Sequence, residues 1–465
     1  GSASTTPAIS AAFDQVWVVK RQQIAEHLAY FDCLSDPGCD MSVAFPNGYA
    51  IPPAIMQWPA MGDVANGFDL NLAPYYDYDA DGMYDPQAGD APCILGDQAF
   101  FLVFNDNLAP HTLSMGAAMG LEIQVMGFVY DREATALDQT VFLRFHLINR
   151  STITYSDVHI GYYSDIDIGC GNDDFVGTDP YRNMLYFYNW QNIDVDCLGA
   201  LGYGLQPPAV GLAMIKGPPL DANGTDESNG NAIPAWNGEG FGDGIPDNER
   251  HGLSYSLSFT RESPNSAMTD PSTSVQFAQY LKSIWKDGVT MSHGGSGYSI
   301  APDAVPTRFA FTGVDDPVHA GTNGVVVPPW SETVPTPTTP DRRGVMSSGP
   351  ITLEPGEHVD LLFAYVHARA GSGGAIASVA ALQARVDSIH DFAQTLPIWN
   401  VPENQPYAGM CADYATIGIR ERSAAGTLVL FPSPAADVAQ FIAPMQLAGG
   451  LLTLRDATGR VVMQQ

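Results

Sequence analysis

Four consecutive segments in the region from residue 97 to about residue 163 have the length and composition of β-strands. They read QAFFLVFND, LEIQVMGFVYD, TVFLRFHLINR and DVHIGYYSDID, and Asn, Asp, Gly or Thr turns separate them. Their content of Val, Ile, Phe and Tyr favours strands, and strands at this spacing are typical of an antiparallel sandwich. The 465 residues include 46 Gly and 35 Pro, so we expect few long helices. The sequence predicts a mainly β fold, an antiparallel β-sandwich with a few peripheral helices and long loops.

The spacing of apolar residues outside this region predicts three helices and further strands. Apolar residues recur on one face over residues 10–31, 273–286 and 374–395, which favours a helix in each range. The segment ITLEPGEHVDLLFAYVHARA, residues 351–370, contains two strand-like runs on either side of a Pro-Gly turn. We expect the helices to pack at the periphery of the sandwich.

The remaining composition predicts long loops and two domains. Residues 200–250 and 313–345 are rich in turn-forming residues and are expected to form loops, with one or two strands in the first range. The composition changes again after Pro406. We predict a β-sandwich body over residues 1–415 and a small separate β unit over residues 425–465.

The charge balance limits the partners of this chain. It carries 51 acidic and 20 basic side chains, a formal net charge of −31. Such a surface repels nucleic acid and anionic lipid, so we expect neither as a partner. Two interpretations remain, a surface whose acidity keeps an extracellular protein dispersed, and carboxylates gathered to hold divalent cations. No apolar segment is long enough to cross a bilayer as a helix, so no transmembrane span is expected.

Six cysteines predict disulfide bonds rather than a zinc or redox site. Their number is even, they are widely scattered, and no Cys-x-x-Cys motif occurs. Free buried cysteines are the alternative. Spacing favours two local loops and one long-range bond, which pair Cys33 with Cys39, Cys170 with Cys197, and Cys93 with Cys411. Because disulfides persist in oxidising compartments, these bonds favour an exported, secreted protein.

An acidic turn starting at Asp77 is the strongest candidate metal site. Aspartates at its positions 1, 3, 5 and 9 surround a glycine, and they are Asp77, Asp79, Asp81 and Asp85. Calcium prefers six to eight hard oxygen ligands in flexible geometry, which this spacing provides. An EF-hand loop would have Glu at position 12, where this chain has Ala88, so Asp90 or a water is expected to complete the shell. An acidic turn without an ion is the alternative.

Two further acidic clusters are candidate calcium sites. In the first, two aspartates leave a predicted strand on one side of the pleat and an Asn-Asp-Asp turn follows; its residues are Asp165, Asp167, Asp173 and Asp174. In the second, a D-G-x-x-D core resembles that of the first turn; its residues are Asp243, Asp247 and Glu249. A fainter group comprises Asp221, Asn223 and Asp226. Solvated acidic loops are the alternative for all of these clusters.

Catalytic motifs are weak in this sequence. It contains no His-Glu-x-x-His, G-x-S-x-G, P-loop or dinucleotide fingerprint. The segment His293-Gly-Gly-Ser-Gly is better explained as a flexible loop than as a nucleophile or anion loop. We therefore nominate no catalytic residue and no organic cofactor, and a non-enzymatic role is favoured.

The last residues resemble the type A sorting domain of the type IX secretion system. The matching stretches are Phe431-Pro-Ser-Pro434-Ala-Ala-Asp437 and Leu454-Arg-Asp-Ala-Thr-Gly459-Arg460-Val-Val. The resemblance implies a Bacteroidota-type exporter as partner and residence at the outer cell surface. Such domains usually continue for about one more hairpin, so residues 425–465 are expected to form an incomplete sorting domain.

The body resembles a group of large secreted proteins that carry this same C-terminal tag and have poorly defined roles. The matching stretches include Gly96-Asp97-Gln98-Ala99, Thr140-Val-Phe-Leu-Arg144, Gly240-Phe-Gly-Asp243-Gly and Trp285-Lys-Asp-Gly288. We expect a cell-surface structural, adhesive or binding protein whose acidic loops calcium orders, with other surface proteins or glycans as partners. The alternative is a secreted polysaccharide-binding or polysaccharide-degrading protein. A weaker alternative is an uncleaved cargo bound to its exporter.

Overall fold

The computed structural model describes residues 7–66, 70–133, 135–197, 199–227, 238–332 and 341–412, and the backbone of four short strands after residue 428. The chain divides into two compact units, Gly1–Ala415 and Thr416–Gln465. Each unit is described separately below.

The first unit contains six α-helices and fifteen strands among its described residues. The helices are Pro7–Phe13 (α1), Arg21–Ser35 (α2), Met41–Ala44 (α3), Pro53–Met56 (α4), Ser274–Tyr280 (α5) and Gly374–Ala393 (α6). The strands are Trp17–Lys20 (β1), Tyr75–Tyr76 (β2), Ala91–Pro92 (β3), Gln98–Asn105 (β4), Leu121–Val129 (β5), Thr140–Asn149 (β6), Tyr155–Ser164 (β7), Asp174–Asp179 (β8), Met184–Asn189 (β9), Ile193–Asp194 (β10), Gly204–Leu205 (β11), Ala209–Lys216 (β12), Tyr255–Thr260 (β13), Arg342–Leu353 (β14) and His358–Ala368 (β15). Short 3-10 turns occur at Val64–Asn66, Ala136–Gln139, Gly171–Asp173, Pro180–Arg182, Ser266–Met268 and Ala320–Thr322.

Two antiparallel sheets form the centre of this unit. The larger has eight strands in the order β1-β4-β5-β6-β15-β12-β9-β8, and the smaller has three in the order β13-β14-β7. One apolar cluster draws side chains from both sheets, and its buried members include Leu185, Phe187, Leu212, Met346, Ile351, Leu361 and Phe363. This arrangement confirms the predicted mainly β fold and is consistent with a β-sandwich.

The other face of the eight-stranded sheet is covered by helices and by the N-terminal segment. Helix α6 packs on β9, β12 and β15, with Val379, Leu382, Val386 and Ile389 buried. Strand β15 is therefore buried on both sides, because Leu361 and Phe363 face the small sheet whereas Leu362 faces the helix side. A strand that is buried on both faces is expected to have a nearly continuous run of apolar residues in its sequence, and β15 has one.

A third apolar cluster covers the outer face of the three-stranded sheet. Leu257 and Phe259 of β13 pack there with Tyr280, Trp285 and Trp330. The indole N–H of Trp285 donates to the carbonyl of residue 297 at 2.8 Å, so this fully buried ring leaves no polar atom unpaired. This cluster orders the long loops after α5, which contain little regular structure of their own.

A network of buried charges lies on the helix side of the sheet. Asp360 of β15 accepts two hydrogen bonds from Arg144 of β6, at 2.8 and 3.0 Å, and one from Lys216 of β12 at 2.7 Å. Arg250 pairs with Glu403 at 2.6 Å, and Glu403 also accepts the backbone N–H of Asp360. The network therefore joins three central strands to the segment near residue 403.

The structure corrects the predicted helix over residues 10–31. The sequence Trp-Val-Val-Lys forms strand β1, which pairs with β4, and only the residues on either side of it are helical. In this strand Trp17 and Val19 are buried while Val18 and Lys20 are exposed, an alternation of period two. Helix α5 is also shorter than predicted and ends at Tyr280, whereas α6 agrees closely with the predicted range.

The second unit contains four short strands in two antiparallel pairs among its described residues. Val429–Phe431 (β16) pairs with Gln440–Ile442 (β17), and Thr453–Arg455 (β18) pairs with Val461–Gln464 (β19). Residues 432–437 and 456–460, which make up most of the two stretches that resemble a sorting domain, lie outside the described residues. Within the described parts of the chain, every helix is too short or too polar to cross a membrane.

Candidate metal centre

A two-stranded ribbon holds the base of the acidic turn predicted as the main metal site. Strand β2 pairs with β3, so the intervening residues 77–90 form a closed loop. Cys93, directly after β3, is bonded to Cys411, and the phenol of Tyr84 within the loop donates to the carbonyl of Ile55 at 2.7 Å. The two ends and the middle of the loop are therefore fixed to the body.

Three carboxylates converge inside this loop. Oxygen atoms of Asp77, Asp79 and Asp90 all lie within 4.8 Å of one another, the one such group of acidic, cysteine or histidine ligands found among the described residues. Asp90 is completely buried, Asp77 is half-buried and Asp79 is exposed. Oxygens that share one calcium ion, at about 2.3–2.6 Å each, lie up to roughly 5 Å apart. The three side chains are thus close enough to share an ion.

Backbone hydrogen bonds determine the shape of the loop around these carboxylates. Asp77 accepts the N–H groups of Asp81 at 3.2 Å and Gly82 at 2.8 Å. The chain reverses there through positive φ angles of 62° at Ala80 and 80° at Gly82. Asp90 accepts backbone N–H groups at 2.8 and 2.7 Å through its two oxygens, from Tyr78 and Asp85. The loop is folded around its acidic residues.

The electrostatics of the loop favour a bound cation. Burial raises the pKa of Asp90, and the charges of Asp77 and Asp79 raise this pKa further, although backbone hydrogen bonds oppose the shift. The pKa of the Tyr75 phenol is also raised, by burial and by nearby aspartates. A divalent cation would remove this mutual repulsion. Because the donors are hard carboxylate oxygens, the residues present fit calcium better than a thiolate- or imidazole-preferring metal.

Two other residues predicted for this site lie outside the converging group. Asp81 is exposed and accepts the N–H of Met83 at 2.7 Å, and Asp85 accepts the N–H of Gln87 at 2.8 Å. Both side chains close local turns of the backbone. Of the five predicted ligands, the structure therefore brings together Asp77, Asp79 and Asp90.

The structure divides the second predicted cluster into two parts. Asp165 accepts the phenol of Tyr163 at 2.8 Å and faces Arg343 at 3.3 Å, and Arg343 also pairs with Asp270 and Asp341. Asp165 thus belongs to an ion-pair cluster. The other predicted members, Asp167, Asp173 and Asp174, lie around the 167–174 loop together with Asp194, which the sequence analysis did not select.

In the third predicted cluster, carboxylates join two loops through backbone groups. Asp247 accepts the N–H groups of Asn223 and Gly224 at 2.7 and 2.8 Å, and the buried Glu249 accepts the N–H of Glu227 at 2.9 Å. Asp243 accepts hydrogen bonds from the backbone N–H of Ile245 and from the side-chain amide of Asn248. Asp226 accepts the backbone N–H groups of Gly242 and Gly244. Asp221, from the faintest group, lies apart and accepts the backbone N–H and hydroxyl of Thr352.

The six cysteines form three disulfides. Cys33 is bonded to Cys39, Cys93 to Cys411, and Cys170 to Cys197, which are the pairs that the spacing favours. The second of these bonds closes a separation of 318 residues. The bond near the start of the chain and the one near Asp173 close short loops.

A cleft of about 210 Å³ opens beside the loop that contains His293. Its lining mixes polar and apolar side chains and is proline-rich, with Thr307, Thr322, His319 and Asp316 among the polar residues on its walls. Both oxygens of Asp316 accept backbone N–H groups, and Nε2 of His293 lies 2.9 Å from the carbonyl oxygen of residue 328. Glycoside hydrolysis requires two carboxylates across a cleft, and the lining described here contains one.

Comparison with known proteins finds no matching family model and no matching curated protein.

Proposed function

We propose that this chain is an exported cell-surface protein with a structural, adhesive or binding role, and that calcium orders its acidic loop at residues 77–90. The observation that carries the proposal is the convergence of Asp77 and Asp79 on the fully buried Asp90. Three carboxylates this close repel one another unless a cation lies between them. The residues that would hold the ion are these three, with water completing the shell, and its role would be mechanical.

Two further features support export to an oxidising surface environment. Three disulfides join the body, as is common in secreted proteins and rare in the cytosol. The resemblance of residues 425–465 to a type IX sorting domain supplies a route, with the secretion machinery as the partner of that segment. Under this proposal the protein belongs to a Bacteroidota-type surface and presents rigid loops to other surface proteins or glycans.

A chelation experiment tests the calcium part of this proposal. The wild-type chain is melted in calcium and in chelator, and its bound metal is measured. We expect the free energy of unfolding to rise by about 2.7 kcal/mol when calcium is at roughly one hundred times its Kd. The variant Asp77→Asn should lose this response, whereas Asp303→Asn, an exposed aspartate of another loop, should keep it. An identical Tm in chelator and in calcium would overturn the assignment.

The surface role is tested separately by binding. The folded protein is screened against glycans and surface-protein fractions, with the Asp77→Asn variant in chelator as the matched control. We expect binding that depends on an ordered 77–90 loop. Turnover of a polysaccharide in the same screen would instead support the alternative of a polysaccharide-degrading protein. Export is tested by fusing residues 425–465 to a reporter in a bacterium that has a type IX system, where retention inside the cell would argue against a sorting role.

A further inference from the structure

The ribbon that carries the 77–90 loop is very short. Strands β2 and β3 form a two-stranded sheet in which two residues of each strand are paired. A ribbon of two strands is marginally stable by itself. Asp77 directly follows β2 and Asp90 directly precedes β3, so the separation of these two carboxylates depends on the ribbon that joins their strands. Any contact that holds the base of the ribbon therefore affects the acidic loop.

The disulfide between Cys93 and Cys411 contacts both strands at this base. Cys93 directly follows β3 and is completely buried, and its N–H donates to the carbonyl of Pro74, the residue before β2, at 3.0 Å. Sγ of Cys411 lies 3.6 Å from the carbonyl oxygen of Tyr75, the first residue of β2. The disulfide is thus covalently joined to the end of one strand and touches the start of the other.

The residues that precede Cys411 pack on the buried charge network. Met410 is buried, and its sulfur lies 3.7 Å from Nη1 of Arg144. The guanidinium of Arg144 lies 5.1 Å from the centre of the Tyr407 ring and also donates to the carbonyl of Pro406. Because Arg144 is itself paired with the buried acid of this network, the disulfide ties the base of the ribbon to a fixed part of the body.

Other contacts at the base of the loop are noncovalent. Nε2 of His27 lies 3.0 Å from the carbonyl oxygen of Asp90, and the indole N–H of Trp58 donates to the carbonyl of Pro74 at 2.9 Å. Such contacts break and reform when a short element frays. The disulfide persists through that fraying, and it is lost only when it is reduced.

We propose that the Cys93–Cys411 disulfide regulates calcium binding, so that forming this bond raises the affinity of the 77–90 loop for calcium. This regulation rests on the proposed calcium function of the loop and adds a redox control to it. In the oxidised chain, Asp77 and Asp90 are held at a fixed separation before the ion arrives, so binding requires less ordering of the chain. Under the proposed export, the loop acquires its full affinity only where disulfides persist.

The bond forms by thiol–disulfide exchange with a small disulfide such as oxidised glutathione. One cysteine thiolate attacks a glutathione sulfur, which gives a mixed disulfide and releases one glutathione thiolate. The second cysteine thiolate attacks the protein sulfur of the mixed disulfide and releases the other. Two electrons pass from the protein to glutathione, and the two protons of the cysteine thiols pass through solvent to the glutathione thiols. By linkage, calcium favours the disulfide by the same factor by which the disulfide favours calcium.

The Kd for calcium is measured by equilibrium dialysis on the full chain and on two double variants whose near-ultraviolet circular dichroism is native. We expect Cys93→Ser with Cys411→Ser to raise the Kd by about tenfold, within the usual range for coupled sites. Cys170→Ser with Cys197→Ser, which removes the disulfide of a different loop, should keep the wild-type Kd. Equal Kd values in the wild type and the first variant would overturn the regulation and leave the calcium site in place. A wild type that bound no calcium would overturn both.

A measurement on the wild-type chain decides the matter if the first variant does not fold. The chain is equilibrated in glutathione buffers of graded potential, with calcium or with chelator, and each disulfide is quantified by thiol trapping and mass spectrometry. A tenfold coupling should make the potential of Cys93–Cys411 about 30 mV more negative in calcium, whereas that of Cys170–Cys197 should not change. An unchanged potential of the first bond would overturn the regulation. Equal shifts of both bonds would overturn it too, because calcium would then stabilise the whole fold rather than this ribbon.

Discussion

At the scale of single residues, Asp360 is the charge on which the buried network depends. Burial opposes its ionised form, but the charges of Arg144 and Lys216 outweigh that effect and lower the pKa of Asp360 to about 2. All three side chains are almost completely buried. Removing the one acid that contacts both cations would leave two buried positive charges without their closest partner.

We therefore expect Asp360→Asn to lower the free energy of unfolding by about 3–5 kcal/mol, as measured in urea. The matched control is Asp387→Asn, which breaks an ion pair to Arg182 in which the acid is 49% exposed. That change should cost less than about 1 kcal/mol. A loss in Asp360→Asn no larger than in the control would show that the network does not stabilise the fold.

His146 makes stability depend on pH. Its Nε2 atom lies 3.0 Å from Nδ1 of His358. Burial lowers the pKa of His146 from 6.5 to about 3. The charge of Asp360 opposes this shift, whereas His358, Arg144 and Arg150 reinforce it. Because the unfolded chain binds this proton more readily, the folded state loses stability as the pH falls from about 6.5 towards 3.

His146→Gln removes this titration, so the wild type should lose about 2 kcal/mol more than the variant between pH 7 and pH 5. Urea unfolding at both pH values gives the measurement. His111→Gln is the control, since His111 is only partly buried, and it should retain the wild-type slope. Equal slopes for His146→Gln and the wild type would contradict this assignment.

The candidate site could be predicted from sequence only where its residues are close in the chain. Asp77 and Asp79 are two residues apart beside a glycine, and such spacing itself indicates convergence. Asp194 was not selected because a disulfide loop, rather than sequence proximity, brings it to the backbone N–H of Cys170. Asp165 was selected because it alternates with a neighbouring aspartate, but its partner Arg343 comes from a distant strand, which alternation does not reveal.

At the scale of secondary-structure elements, α6 provides a direct test of the helix-to-sheet layer. Leu382 of this helix is completely buried, whereas Ile376 is 65% exposed. We expect Leu382→Ala to cost about 2–5 kcal/mol, because it leaves a cavity against the sheet. Ile376→Ala should change stability by no more than about 0.5 kcal/mol. Comparable losses in the two variants, measured by urea unfolding, would be inconsistent with the packing of this helix.

Elements that form through local interactions could be predicted from the sequence, whereas elements that depend on long-range pairing could not. Strands β4 to β7 were predictable because β-branched and aromatic residues and intervening turns are local signals. Strand β1 was mistaken for helix because the apolar spacing around Trp17 also fits a helical face, and pairing with β4 decides the outcome. The turn at Pro355 was visible, but β14 and β15 on either side of it join different sheets. Long-range strand pairing determines which sheet each of these strands joins, and the spacing of apolar residues does not encode that pairing.

At the scale of the whole molecule, the net charge of −31 acts on stability independently of any ion site. Like charges on a compact surface repel one another, and unfolding relieves that repulsion. Salt screens it, since the Debye length falls from about 30 Å at 0.01 M to about 8 Å at 0.15 M ionic strength. General screening and specific calcium binding should therefore both raise Tm, but at different concentrations and through different residues.

The two contributions are separable in the variant Asp77→Asn. In chelator, we expect sodium chloride to raise Tm of the wild type and of this variant alike, because most of the negative surface remains in both. At constant 0.15 M ionic strength, roughly the physiological value, a small addition of calcium should raise Tm of the wild type alone. If calcium stabilised both chains equally, its action would be screening of the acidic surface. If sodium chloride had no effect in chelator, self-repulsion would not limit the stability of the folded chain, and the calcium response would have to come from the Asp77 site alone.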